Sequence, residues 1–244
     1  MKISGRLLTL ALIVVPAASA VAAPSGTPTP VTVARYTFDS GATAAGAVAE
    51  NSGRGLPLTV RSKDRGAVRF LASKTSHIVA FPPPCPKGAK ICPRALLEAP
   101  SDTDLNPGIG KFTWGATLQV TKAQVVGSSN VMQKGASNIE SQWKMQIGAA
   151  QGKAQCVVVG LGSAQAYIAR STNTVADGAW HRVMCRREGA ALSVFVDGVS
   201  RGTAVVPAAL SVTNTHPLRI GGPNFNTTSD MFHGSLDDVY AVLG

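Results

Sequence analysis

The sequence is short of charge, of aromatic residues and above all of acid. Only 15% of its 244 residues are charged and 5% are aromatic, and 13 aspartates and glutamates stand against 23 lysines and arginines. So few carboxylates leave little material for a hydrolase built on a paired acid and base. Cysteine is scarce too, and four residues cannot form a disulfide scaffold that replaces a core. After the first 23 residues no apolar run is long enough to span a bilayer. No stretch of about a dozen residues carries a helical period. What remains is a chain that is 45% hydrophobic, with 25 glycines and 15 prolines that follow no period of three. That composition excludes disorder and collagen, and the length suits one domain with a sizeable core.

Residues 1–22 read as a secretory signal. Lys2 and Arg6 form its basic end, Leu7 to Val15 its apolar run, and A-S-A-V-A-A its small-residue cleavage region. Cleavage after Ala22 is preferred to Ala20 or to Ala23, because Pro24 would follow the last. Pro16 and the small residues end the apolar run well short of the roughly 20 residues an anchor needs. Residues 23–30 then form a Pro/Ser/Thr leader expected to be flexible, and 31–244 one domain. Losing Lys2 and Arg6 leaves a net charge of about +8, which suits an anionic cell-wall polymer, an anionic glycan or a membrane surface. The densest basic cluster, Arg54, Arg61, Lys63, Arg65 and Arg69, has no interleaved aromatics and reads as a solvated face rather than a nucleic-acid site.

In an oxidising compartment an even number of cysteines favours disulfides over metal or redox chemistry. Four cysteines allow three pairings. Cys85 and Cys92 bracket the short loop CPKGAKIC and suggest a local clamp, which leaves Cys156 with Cys185. No C-x-x-C pair is present to suggest zinc.

From Val31 the chain reads as more than a dozen short strands punctuated by turn residues, among them VTVARYTF (31–38), KFTWGATLQV (111–120), SQWKMQIG (141–148), WHRVMCRR (180–187) and ALSVFV (191–196). Only RALLE (94–98) has the look of a helix start. This pattern predicts an all-β sandwich or barrel in a single domain. Asp177-Gly178 and Asp197-Gly198 are both expected to form type I′ hairpin turns, which gives their aspartates a structural role.

The last third carries a recognisable run: DGAWHRVMCRREGAALSVFVDGVSRGTA (177–204), then PLRIGG, then FHGSLDDVYAV. It resembles a laminin G-like domain of the concanavalin A-like lectin/glucanase superfamily, of the secreted bacterial kind, and the likeness extends over about residues 31–243. YTFDSGA and ENSGRGLPL fit near the N-terminus, with Glu50 where the family more often has Asp. The stretch 84–110 finds no place on the pattern. The resemblance implies a two-sheet antiparallel jelly-roll sandwich with paired chain ends, and it also sets the strands of Cys156 and Cys185 close together.

Candidate chemistry is thin. Gly198-Val199-Ser200-Arg201-Gly202 matches G-x-S-x-G, and Asp230 and His233 follow it, but the match lies in β sequence without the helix a nucleophile elbow needs. The superfamily's glucanases carry an alternating Glu-x-Asp-x-x-Glu on one strand, and this chain has none. Asp102 and Asp104 alternate within a turn-like loop. By the resemblance, structural calcium would sit near the chain ends, with Asp39 and Asp238 as ligands. Trp114 and Trp143 alternate with apolar neighbours and are expected in the core, Trp180 is expected to pack, and His181 to be buried and hydrogen-bonded. Asn226-Thr227-Thr228 is a glycosylation sequon. The reading as a whole is a secreted, non-catalytic module for a carbohydrate or cell-wall polymer, bound by edge loops or the concave face. An extracellular protein-interaction or structural domain is the alternative, and a glycan hydrolase stands last.

Overall fold

The computed structural model describes Met1 and residues 29–73, 76–226 and 230–244. The expected signal segment and most of the leader, as well as Thr227 and Thr228 of the sequon, lie outside the described residues.

Two antiparallel sheets hold the chain. The first runs, edge to edge, Val199–Val205 (β14), Ala191–Val196 (β13), Asp177–Glu188 (β12), Phe112–Thr121 (β7), Ser235–Leu243 (β16), His77–Ala80 (β5) and Arg69–Ala72 (β4), with Val31–Tyr36 (β1) also paired to β16. The second runs Ala166–Thr174 (β11), Lys153–Val159 (β10), Ile139–Gly148 (β9), Ser128–Ala136 (β8), Leu218–Ile220 (β15), Arg94–Ala99 (β6), Leu58–Lys63 (β3) and Ala47–Val48 (β2). The expected two-sheet sandwich is therefore present, and the two ends of the domain meet where Val31 pairs with Leu243.

Alternation decides what lies between the sheets, because successive side chains of a strand point to opposite faces. Phe112, Trp114, Ala116, Leu118 and Val120 of β7 are all buried in the core, as are Trp143, Met145 and Ile147 of β9. Phe112, Trp114 and Trp143 form an aromatic knot with centroids 5.2 to 5.7 Å apart. The Trp143 indole donates to the Leu105 carbonyl and so anchors the short 3₁₀ turn Thr103–Leu105. Lys134 is buried beside this turn, its ammonium satisfied by the Asn106 side chain and by the carbonyl and side chain of Asn214. Both expected disulfides form: Cys85–Cys92 closes the loop between β5 and β6, and Cys156–Cys185 joins β10 to β12 across the sandwich.

Three local expectations need correcting. RALLE is not helical but lies in β6, where pairing with β3 and β15 overrides the helix preference of Leu and Glu. It carries the unplaced 84–110 stretch into the second sheet. Asp197 and Gly198 do form the positive-φ hairpin, at φ 53° and 80°, but Asp177 stays in β12, and Gly178 opens a bulge there. That bulge leaves Trp180 39% exposed rather than packed.

Candidate functional site

The strand β9 presents Trp143, Met145 and Ile147 inward, so Gln142, Lys144 and Gln146 face out from the second sheet. The pairing registers line these up with neighbours in rows. Glu98, Arg219, Gln133, Lys144, Val157 and Ile168 form one row across six strands. Asn130, Gln146, Gln155 and Arg170 form the next. A bulge between Asn130 and Met132 turns Asn130 onto the same face as Gln133, three residues on.

Outward polar side chains of a sheet are ordinarily solvated. Here four amides are not: Asn130 is 1% exposed, Gln142 4%, Gln133 5% and Gln146 6%. Ser137, Asn138, His216, Pro223, Asn224 and Asn226 line a cleft of about 350 Å³ together with Asn130, Gln133 and Gln142. A second cleft of about 380 Å³ is lined by Gln146, Gln155, Lys153 and Arg170.

The amides are held by one another. Asn130 Nδ2 donates to Gln133 Oε1 at 2.6 Å, Gln146 Nε2 to Gln155 Oε1 at 2.6 Å, and both Gln133 and Gln142 donate to the Gly135 carbonyl. Gly135 sits at φ 90°, and a Cβ there would fall 1.9 Å from the Ser141 carbonyl, so only glycine fits this floor. The oxygens Asn130 Oδ1 and Gln146 Oε1 are buried with no hydrogen-bond partner among the described residues. A buried acceptor left unpaired costs about 1–3 kcal/mol. Burial also pushes the Lys144 ammonium below its ordinary pKa, against the opposing charge of Asp230.

The two clefts are thus lined by amide side chains and hold one partly buried positive charge. It offers no acid–base pair: Glu98 is engaged by Arg219 at 2.7 Å, and Asp230 accepts from the Ser128 backbone.

The residues singled out in the sequence lie elsewhere. Asp39 Oδ1 accepts the His77 N–H at 3.0 Å, and Asp238 Oδ1 accepts from Arg35 Nε at 2.7 Å. The last-strand carboxylate that feels Asp39 is Asp237, which takes the Ser76 hydroxyl and is pushed up by burial and then by Asp238 and Asp39. Among the described residues no three His, Cys, Asp or Glu side chains gather as a metal site. Asp39 and Asp238 have different partners, and the guanidinium of Arg35 sets a positive charge beside Asp238. Ser200 is exposed in β14, and no hydrogen bond links it to His233, whose ring meets the Pro82 carbonyl, or to Asp230. His181 is clamped between Asp177 and Asp197. Glu50 organises its loop by accepting the backbone N–H groups of Arg35, Ser52, Arg54 and Gly55.

The laminin G family Laminin_G_3, described as the concanavalin A-like lectin/glucanases superfamily, matches residues 97–242. The chain belongs to this family. Among solved structures, this laminin G-like chain is similar to domain 4 of AbnA, a GH43 extracellular arabinanase of Geobacillus stearothermophilus in complex with arabinotriose. The TM-score is 0.65 at 14% identity, over 88% of this chain and 93% of that one. It is similar too to the binding domain of botulinum neurotoxin DC in complex with SialylT, with a TM-score of 0.61 and 9% identity over 86% of this chain and 47% of that one. The binding domain of Paraclostridial Mosquitocidal Protein 1 gives 0.62 and 10% over 87% and 48%. The laminin G-like chain spans about half the length of these two toxin domains. No protein of curated function matches it in sequence. At such identities the likeness is one of fold.

Proposed function

We propose that the protein is an exported, non-catalytic binding module that holds a carbohydrate or cell-wall polymer on the outer face of its second sheet. The observation that carries this reading is the row of Asn and Gln side chains that line two open clefts on one sheet face, beside the partly buried Lys144. Amide side chains pair with hydroxyls as both donor and acceptor, which is the chemistry a sugar presents. The complex of AbnA domain 4 with arabinotriose agrees with sugar binding by a domain of this fold. Two disulfides suit an extracellular setting, and no helix among the described residues is long and apolar enough to cross a membrane.

Pull-down of residues 23–244 on a panel of insoluble polysaccharides and cell walls tests the reading, with released reducing sugar assayed in parallel. Retention on at least one polymer without sugar release is expected. Release of sugar would overturn the non-catalytic reading. Failure on every polymer would shift the assignment to an extracellular protein partner, for which the exposed Trp180 and Val205 of the first sheet are the available contacts.

A further inference from the structure

We infer that the polymer is anionic: a polyhydroxylated chain whose carboxylate or phosphodiester group is seated at Lys144, with further charges of the same chain meeting Arg170. The inference rests on the glycan reading above and narrows it. Four cations, Lys144, Arg219, Lys153 and Arg170, line the two clefts against one carboxylate, Asp230. Arg219 is already taken by Glu98 and the Pro223 carbonyl. The side chains of Lys144, Lys153 and Arg170 make no hydrogen bond or ion pair among the described residues. Asp230 is near enough to act on Lys144 electrostatically, but the two form no ion pair.

Lys144 stands at the centre of the face, opposite Gln133 on one side and Val157 on the other. A partly buried ammonium without a partner is a standing cost to the free protein, and an anion is the group that removes it. The amides around it carry no charge and can serve only the hydroxyls, so the two ligand features are read by different residues. Arg170 lies two strands and one row away from Lys144, on the order of 12 Å by strand spacing and residue rise. Two unpaired cations at that separation on one sheet face, each lining its own cleft, suit a charge that recurs along a chain better than a single anion.

Affinity is measured at about 150 mM salt, where surface attraction is largely screened. The probes are polygalacturonate, its carboxyl-reduced neutral counterpart and a glycerol-phosphate polymer. At least tenfold tighter binding of one acidic polymer over the neutral one is expected, and which acid is preferred assigns the charged group. Lys144→Gln should abolish that preference, lower acidic-polymer affinity about tenfold and leave neutral-polymer affinity within twofold. Lys144→Met serves as a second variant, and both should melt no lower than the parent because the buried charge is gone. Lys87→Gln in the exposed disulfide loop should change nothing. Equal affinity for acidic and neutral polymers, or an acid preference that survives both Lys144 variants, overturns the anionic assignment while sparing the glycan reading. Binding to none of the three overturns the anionic assignment, and the wider panel then decides the glycan reading.

Discussion

Cys156 of β10 and Cys185 of β12 are bonded with their Cα atoms 5.5 Å apart, so the sheet that carries the amide face is tied covalently to the sheet behind it. Both cysteines are fully buried in the core cluster. By loop-closure entropy, Cys156→Ala/Cys185→Ala should lose roughly 3.5 kcal/mol, and Cys85→Ala/Cys92→Ala, which closes a much shorter loop, roughly 2.5. Urea midpoints under non-reducing conditions check the order. A larger loss from the 85–92 pair would mean that its loop bears on folding in a way that chain entropy does not describe.

His181 is a stability switch of small amplitude. Burial opposes its charge, but hydrogen bonds and charges from Asp197 and Asp177 outweigh burial and raise its pKa. Its Nδ1 lies 2.8 Å from Asp197 and its Nε2 3.1 Å from Asp177. The stabilisation is fully present below about pH 6.5, the ordinary histidine value, and is lost as pH rises through the higher folded value. The carboxylates shift the other way: both lie below their ordinary range, so their part is lost only in acid. Thermal melts should fall by an amount worth about 0.5–1 kcal/mol on passing above neutral pH, and His181→Asn should flatten that slope.

Calcium should do nothing to the folded state. Arg35 Nε on Asp238 already sets a positive charge where a cation would approach, and the His77 N–H holds one oxygen of Asp39. Melting temperatures with millimolar calcium and with EDTA should agree within about 1 °C, whereas Arg35→Ala, which frees Asp238, is the variant in which a calcium effect could arise. A stabilisation of several degrees by calcium in the parent would contradict this.

Much of the sandwich is visible in the chain because strand alternation is strict where one face is buried. Trp114 and Trp143 each alternate with apolar neighbours, and both end in the core. Departures from that alternation come from bulges, which shift a register by one residue and turn a side chain to the other face. The bulge between Asp177 and Trp180 exposes Trp180, and the one between Asp237 and Tyr240 interrupts the pairing of β16 at Asp238. RALLE fails differently, because its strand state is imposed by β3 and β15, both distant in sequence. The amide row was legible as polar alternation in SQWKMQIG, yet alternation alone describes any solvated face. Its burial depends on loops some 75 to 95 residues away in sequence, His216 and Pro223 to Asn226, and on the residue Gly135 whose close backbone approach only the fold reveals.

The place of the site on the second sheet is the central claim. The most direct measurement compares the parent, Asn130→Ala/Gln146→Ala and Arg182→Ala for retention on whichever polysaccharide the parent binds, after melts establish that all three are folded. Arg182 lies on the opposite sheet and is exposed. Loss of two amide contacts, each worth about 1 kcal/mol, should weaken the double variant by at least tenfold, while Arg182→Ala binds as the parent does. Undiminished binding by the double variant together with a loss in Arg182→Ala would place the site on the first sheet and contradict the assignment made here.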